Sequence, residues 1–165
     1  MPISTVASGR RVIVTGAAGG IGRAIVATLA DIGCAVAACD APGAPVEAVP
    51  GASMTATFDV RDSGAVRQGV AGAIEALGGC DAIVANAGVV DTIHRAERFS
   101  DKEWRNDIET NLHGAFYLAQ AAFDTIHGRF TDEQRTGVFK PEVEVGPSAT
   151  AQEKLLAYTG RDPNV

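Results

Sequence analysis

The chain has 165 residues, room for about one domain. Hydrophobic residues make up 46% and charged residues 21%, a globular balance that excludes a disordered chain, and 19 glycines without a three-residue period exclude a collagen. With 14 Lys+Arg against 20 Asp+Glu the net charge is −6, which argues against nucleic acid or an anionic membrane as main partner.

Arg11 to Thr15 is a short β-branched run that ends in glycines and reads as a buried strand. From Ile21 the apolar residues Ile25, Val26, Leu29 and Ile32 share a helical face, and Gly33 follows as a stop. Ala35 to Asp40 is a second strand, followed by a loop with Pro42, Pro45 and Pro50. Met54 to Phe58 is a third strand. Asp62 opens a helix with Val66, Val70, Ile74 and Leu77 inside, closed by Gly78 and Gly79. Asp81 to Ala85 is a fourth strand. Ser100 and Glu103 have capping-box spacing, and Trp104, Ile108, Leu112, Ala115, Ala119 and Phe123 follow at helical spacing to about Ile126, with Gly128 as the stop.

Strands that alternate with helices of this length predict right-handed βαβ crossovers, and so an α/β fold with a parallel sheet covered on both faces. Residues 1–130 are expected to form this doubly wound α/β domain. Residues 131–165 read as a divergent, irregular tail, with Val143-Glu144-Val145 as a short strand and Thr150 to Tyr158 as a short helix.

No signal-peptide stretch and no run of about 18 apolar residues is visible. Cys34, Cys39 and Cys80 fit neither a disulfide framework nor a zinc site, so a reduced, cytoplasmic protein is the expectation. His94, His113 and His127 form no close ligand pair, so no metal is predicted.

The strongest chemical signal is Thr15-Gly16-Ala17-Ala18-Gly19-Gly20-Ile21-Gly22, set between the first strand and first helix. Gly16 suits the tight turn, Gly20 lets backbone approach a pyrophosphate, and Gly22 lets helix and strand pack closely. The helix N-terminus turns N–H groups and a positive dipole end toward the phosphates. Asp40 ends the second strand 24 residues after Gly16, where a carboxylate accepts from the adenosine ribose and repels a 2′-phosphate. NAD is therefore favoured over NADP as cofactor, and residues 1–130 are expected to form a Rossmann-type NAD-binding domain. A ligand-free turn, and an Asp40 that merely starts the loop, are the alternatives.

These residues resemble the short-chain dehydrogenase/reductase family over about residues 9–127. Its T-G-x-x-x-G-x-G motif is matched by Thr15, Gly16, Gly20 and Gly22, with Ile21 inside it. Asp59-Val60 resembles the pair that contacts adenine. Asn86-Ala87-Gly88 matches the N-A-G motif that steadies the sheet and lines the cofactor site. Asn111 matches the helix Asn, which the resemblance makes the one catalytic-tetrad position present. Asp59 can also cap a strand end, Asn86 can also form a turn, and Asn111, on the apolar face with Trp104, Ile108 and Ala115, can also be a buried residue that fixes the helix.

The resemblance further implies a Ser and a Tyr-x-x-x-Lys. Tyr117 is followed four residues later by Ala121 and Tyr158 by Asp162, and the lysines are Lys102, Lys140 and Lys154, so none completes that spacing. Ser148 is the only Ser after Asn111 and lies in a Pro/Gly-containing stretch. Tyr158 and Lys154 have helical i, i+4 spacing in reversed order and read as a surface pair.

Two readings follow. One is an NAD-binding oxidoreductase-family chain, truncated or divergent, with impaired or absent hydride-transfer chemistry. Its sheet would carry the order 3-2-1-4, and any substrate would be a small alcohol or ketone of unread identity. The other is a non-enzymatic scaffold or interaction subunit, in which a second copy or a partner chain covers the fourth-strand edge.

Overall fold

The computed structural model describes residues 7–90 and 95–127. Four strands, β1 (Arg11–Thr15), β2 (Ala35–Asp40), β3 (Met54–Thr57) and β4 (Ala82–Val84), form one parallel sheet in the order β3-β2-β1-β4, as expected. Helices α1 (Gly20–Asp31) and α2 (Ser63–Leu77) make the first crossovers. Helix α3 (Asp101–Ile108) runs through a π turn (Glu109–His113) into α4 (Gly114–His127). This is a Rossmann-type sheet with helices on both faces.

Strand alternation divides the core. Ile13, Ala37 and Cys39 face Val66, Val70 and Ala73 of α2 and Leu118 and Ala122 of α4. Val12, Val14, Val36 and Ala38 face Val26 of α1. The central strands are buried on both faces, which is why they read as unbroken apolar runs. The outer strand β4 is shorter than the expected Asp81 to Ala85, and Ala82 at its start is exposed. Asp81 lies just before it and is anchored by Arg11, whose backbone N and Nε donate to Asp81 Oδ2 at 2.8 and 3.0 Å.

The helix ends follow the sequence. Asp62 caps α2 by accepting from the N–H groups of Gly64 and Ala65, and Gly78 closes it in the left-handed region at φ 70°. Ser100 and Glu103 form both arms of a capping box. The buried ridge of α1 is Gly22 and Val26, while Ile21 is exposed.

The helix over 101–127 departs from the expectation in two ways. It is interrupted by the π turn, which adds a residue and rotates everything beyond it. The stripe Trp104, Leu112, Phe123 faces solvent, together with Phe116, whereas Leu118 and Ala122 face the sheet and Thr110 is buried where it lines a cleft. Both stripes contain apolar residues, so spacing alone selects the wrong one. The expected tail elements at 143–145 and 150–158, with Ser148, Lys154 and Tyr158, lie outside the described residues, as do His94 and Gly128.

Candidate functional site

Parallel pairing brings the carboxyl ends of all four strands to one edge. Thr15 lies opposite Cys39, Asp40 opposite Thr57, and Val14 opposite Val84. The segments leaving these ends line a cleft of about 660 Å³. Ligands of open α/β sheets bind in such a crevice.

The glycine-rich turn forms one wall. Gly16 has φ +65°, and a Cβ there would lie 2.8 Å from Ala87 Cα. A Cβ on Gly22 would run into the Gly16 carbonyl. These two glycines are required by the protein's own packing. Gly20 is different: a Cβ there would meet nothing within 4 Å. Its missing side chain leaves open space at the first residue of α1, which lines the cleft and where backbone N–H groups have no helical partner. Such a cradle fits a pyrophosphate.

The turn is braced from three sides. Asn86 Nδ2 donates to the carbonyls of Thr15 and Gly16 at 3.0 and 3.1 Å, and the Ala87 N–H donates to Thr15 Oγ1 at 3.2 Å. Arg23 donates through Nε to the Ala18 carbonyl at 2.9 Å and through Nη1 to the Ala48 carbonyl at 2.8 Å. Asp40 accepts from the Ala18 N–H at 2.8 Å and from its neighbour Ala41 at 2.7 Å. A carboxylate has about four acceptor positions, so two remain for hydroxyl donors in the cleft. The neighbouring Cys39 is fully buried, and burial with the Asp40 charge pushes its thiol up to about 12. It stays protonated and inert.

Asp59 and Val60 follow β3 on the far side. Val60 is buried against Gly114 and lines the cleft with Phe58. Asp59 is clasped by Arg61, whose Nη2 lies 2.6 Å from Oδ2. Side-chain hydrogen bonding from Arg61 holds the Asp59 carboxyl below its usual value, against the opposing effect of burial. Gly88 lies beside Asn111, and Asn111 sits in the π turn with an exposed residue surface, not buried as its apolar-face position predicts. Its amide nevertheless pairs with both polar groups of one backbone residue: Oδ1 accepts from the Val89 N–H and Nδ2 donates to the Val89 carbonyl, both at 2.8 Å. It docks the loop after β4 onto the helix.

The cleft therefore gathers Gly16, Gly20, Ile21, Gly22, Asp40, Asp59, Val60, Asn86, Ala87 and Gly88, while Asn111 braces its floor through Val89. The structure adds Ala41, Ala44 and Pro45 of the Pro/Gly loop, and Arg61, Asn106 and Thr110. A polar residue two positions after a strand-end Asp is the only sequence signal that could have marked Arg61. Asn106 and Thr110 had none.

Fold and cleft are those of a Rossmann-type α/β domain. The family model "short chain dehydrogenase" matches residues 10–138, and the chain belongs to the short-chain dehydrogenase family, a family of oxidoreductases. It is 37% identical over 123 residues to gluconate 5-dehydrogenase of Gluconobacter oxydans, covering 69% of this chain and 47% of that protein. It is 33% identical to D-threitol dehydrogenase of Mycolicibacterium smegmatis, covering 68% and 46%. Carveol dehydrogenase from Mycobacterium avium, solved in complex with NAD, superposes with a TM-score of 0.66 at 30% identity, covering 74% of this chain and 52% of that one. The chain thus spans about half the length of the relatives it matches. Among the described residues no helix is long and apolar enough to cross a membrane.

Proposed function

We propose that this chain binds NAD(H) through its adenosine and pyrophosphate, in preference to NADP, and that these 165 residues carry out little or no alcohol or ketone chemistry by themselves. One observation carries the binding: Gly20, the first residue of α1, has open space where a side chain would stand and lines the same cleft as the Asp40 carboxylate. The backbone N–H groups at the helix start receive the phosphates. Asp40, with two acceptor positions left, takes the ribose hydroxyls, and its charge disfavours a 2′-phosphate. Asp59 accepts from the adenine, and Ile21 and the 86–88 segment line the way toward the nicotinamide. When bound, NAD supplies the hydride chemistry.

The absence of Tyr-x-x-x-Lys from the sequence supports the second half of the proposal, because Tyr117 is followed four residues later by Ala121 and Tyr158 by Asp162. The full chain is titrated with NAD and NADP and assayed against alcohol and ketone panels. Tighter NAD binding with turnover at background is expected. Preference for NADP, or substantial turnover, overturns the proposal.

A second reading rests on the exposed stripe. Trp104, Leu112, Phe116 and Phe123 are each more than half exposed, an apolar surface of the kind that marks interaction sites. The same domain would then serve as a scaffold or interaction subunit, pairing with a second copy or a partner chain that also covers β4. Sedimentation that gives only a monomer counts against the homo-oligomer form.

A further inference from the structure

Arg61 surrounds the Asp59 carboxylate. Its backbone N–H and its Nε reach Oδ1 at 2.9 and 3.0 Å, Nη2 reaches Oδ2 at 2.6 Å, and Nε leans to Oδ2 at 3.1 Å. The remaining terminal nitrogen, Nη1, donates to Asn106 Oδ1 on α3 at 2.8 Å. The planar guanidinium is thus held at both ends, between the turn leaving β3 and a helix 45 residues further along the chain. Asp59, Arg61 and Asn106 all line the cleft.

The arrangement leaves little acceptor capacity. An ionised carboxylate offers about four lone-pair positions, and three N–H groups of Arg61 already fill about three of them. One position is left on a side chain that is 36% exposed and faces the cleft. Such a group accepts one further N–H and donates none. A purine with an exocyclic amino group satisfies it. A purine with a carbonyl at the same position sets oxygen against oxygen. A carboxylate free to rotate would evade that clash, so selection depends on its being held.

We infer that Arg61, braced on Asn106, is a positioning residue that fixes Asp59 as a single-acceptor reader, selecting an amino-bearing purine over an oxo purine at the adenosine end of the cleft. This rests on the proposed NAD binding. The hydrogen bonds from Arg61 also hold the Asp59 carboxyl below its usual value, so the reader stays ionised further into acid. A lysine keeps the charge but has no fork to span both carboxylate oxygens and Asn106, so it replaces Arg61 only in part.

The test is calorimetric titration of the full chain with NAD and with nicotinamide hypoxanthine dinucleotide, in which an oxo group replaces the adenine amino group. Wild type is expected to prefer NAD about tenfold, the worth of one hydrogen bond to a charged group. Arg61→Ala is expected to reduce the preference to about twofold or less, mainly by weakening NAD. Arg61→Lys recovers part of it. Asn106→Ala, which leaves the Arg61–Asp59 pair in place, lowers it partway. Equal weakening of both ligands by Arg61→Ala marks a merely structural role and overturns the inference. So does a preference unchanged in both Arg61→Ala and Asn106→Ala. Wild type that binds the two ligands equally overturns the selection and leaves NAD binding intact, whereas wild type that binds neither overturns NAD binding and the inference together.

Discussion

The Asp40 carboxylate accepts the backbone N–H of Ala18 at 2.8 Å, across 22 residues of sequence. One side chain at the end of β2 thus holds the middle of the glycine-rich turn and lines the cleft. In the proposed function it also takes the ribose hydroxyls, which couples the two roles. Asp40→Ala is expected to weaken NAD at least tenfold, to shift the NAD-to-NADP affinity ratio toward NADP, and to cost about 1–3 kcal/mol of stability. Paired NAD and NADP titrations with a urea melt check this. A variant with an unchanged cofactor ratio would remove Asp40 from the ribose site.

Gly20 and Gly22 are two residues apart in the same turn, and the structure assigns them opposite reasons for being glycine. Gly22→Ala puts a methyl against the Gly16 carbonyl and is expected to cost about 3 kcal/mol. Gly20→Ala meets nothing in the protein and is expected to hold stability or raise it by about 0.5 kcal/mol, while weakening NAD by tenfold or more. Thermal melts and titration of the two variants separate packing from binding.

Asn111 makes both of its amide hydrogen bonds with Val89. Asn111→Ala leaves both backbone groups of Val89 without that partner, and a loss of about 1–2 kcal/mol is expected. Asn111→Asp retains the acceptor but sets a carboxylate oxygen against the Val89 carbonyl, so it should not rescue. The readouts are the denaturant midpoint and the hydrogen-exchange rate of the Val89 amide, which rises in both variants.

Much of this was legible in the sequence. β-branched runs ending in glycine located the strands, Asp62 and Ser100 announced their caps, and crossovers between parallel strands left few possible orders. The carboxyl ends of those strands then had to converge, so Gly16, Asp40, Asp59 and Asn86 met as expected. The face of the 101–127 helix was not legible. Trp104, Leu112 and Phe123 are larger and more apolar than Ala122, yet they are exposed while Ala122 is buried in the core with Ile13 of the sheet. The π turn also breaks the period on which the reading relied. Arg61 was missed because an Arg two residues from an Asp reads as an ordinary surface pair. Its bond to Asn106 exists only once the fold brings the two together.

Asp81 predicts how the domain responds to acid. Burial raises its carboxyl, but the backbone and side-chain hydrogen bonds from Arg11 and the charges of Arg11 and Arg10 outweigh it and leave the group below its usual 3.8. A carboxyl lowered in the folded state contributes stability that is full above its unfolded value and is lost as pH falls through the folded one. Stability from this pair should therefore hold down to about pH 4 and decline below it. Asp81→Asn is expected to cost about 1–2 kcal/mol at neutral pH and to flatten that decline. Urea melts between pH 3 and 7 give the comparison.

The central claim is that the strand-end cleft holds NAD by its adenosine and pyrophosphate. Titration calorimetry of the full chain with NAD, run beside Gly20→Ala, tests it most directly. Saturable one-site binding by wild type, weakened at least tenfold in a Gly20→Ala variant that melts normally, is the predicted result. Absence of binding by wild type at millimolar NAD, or equal affinity in the two proteins, would contradict it.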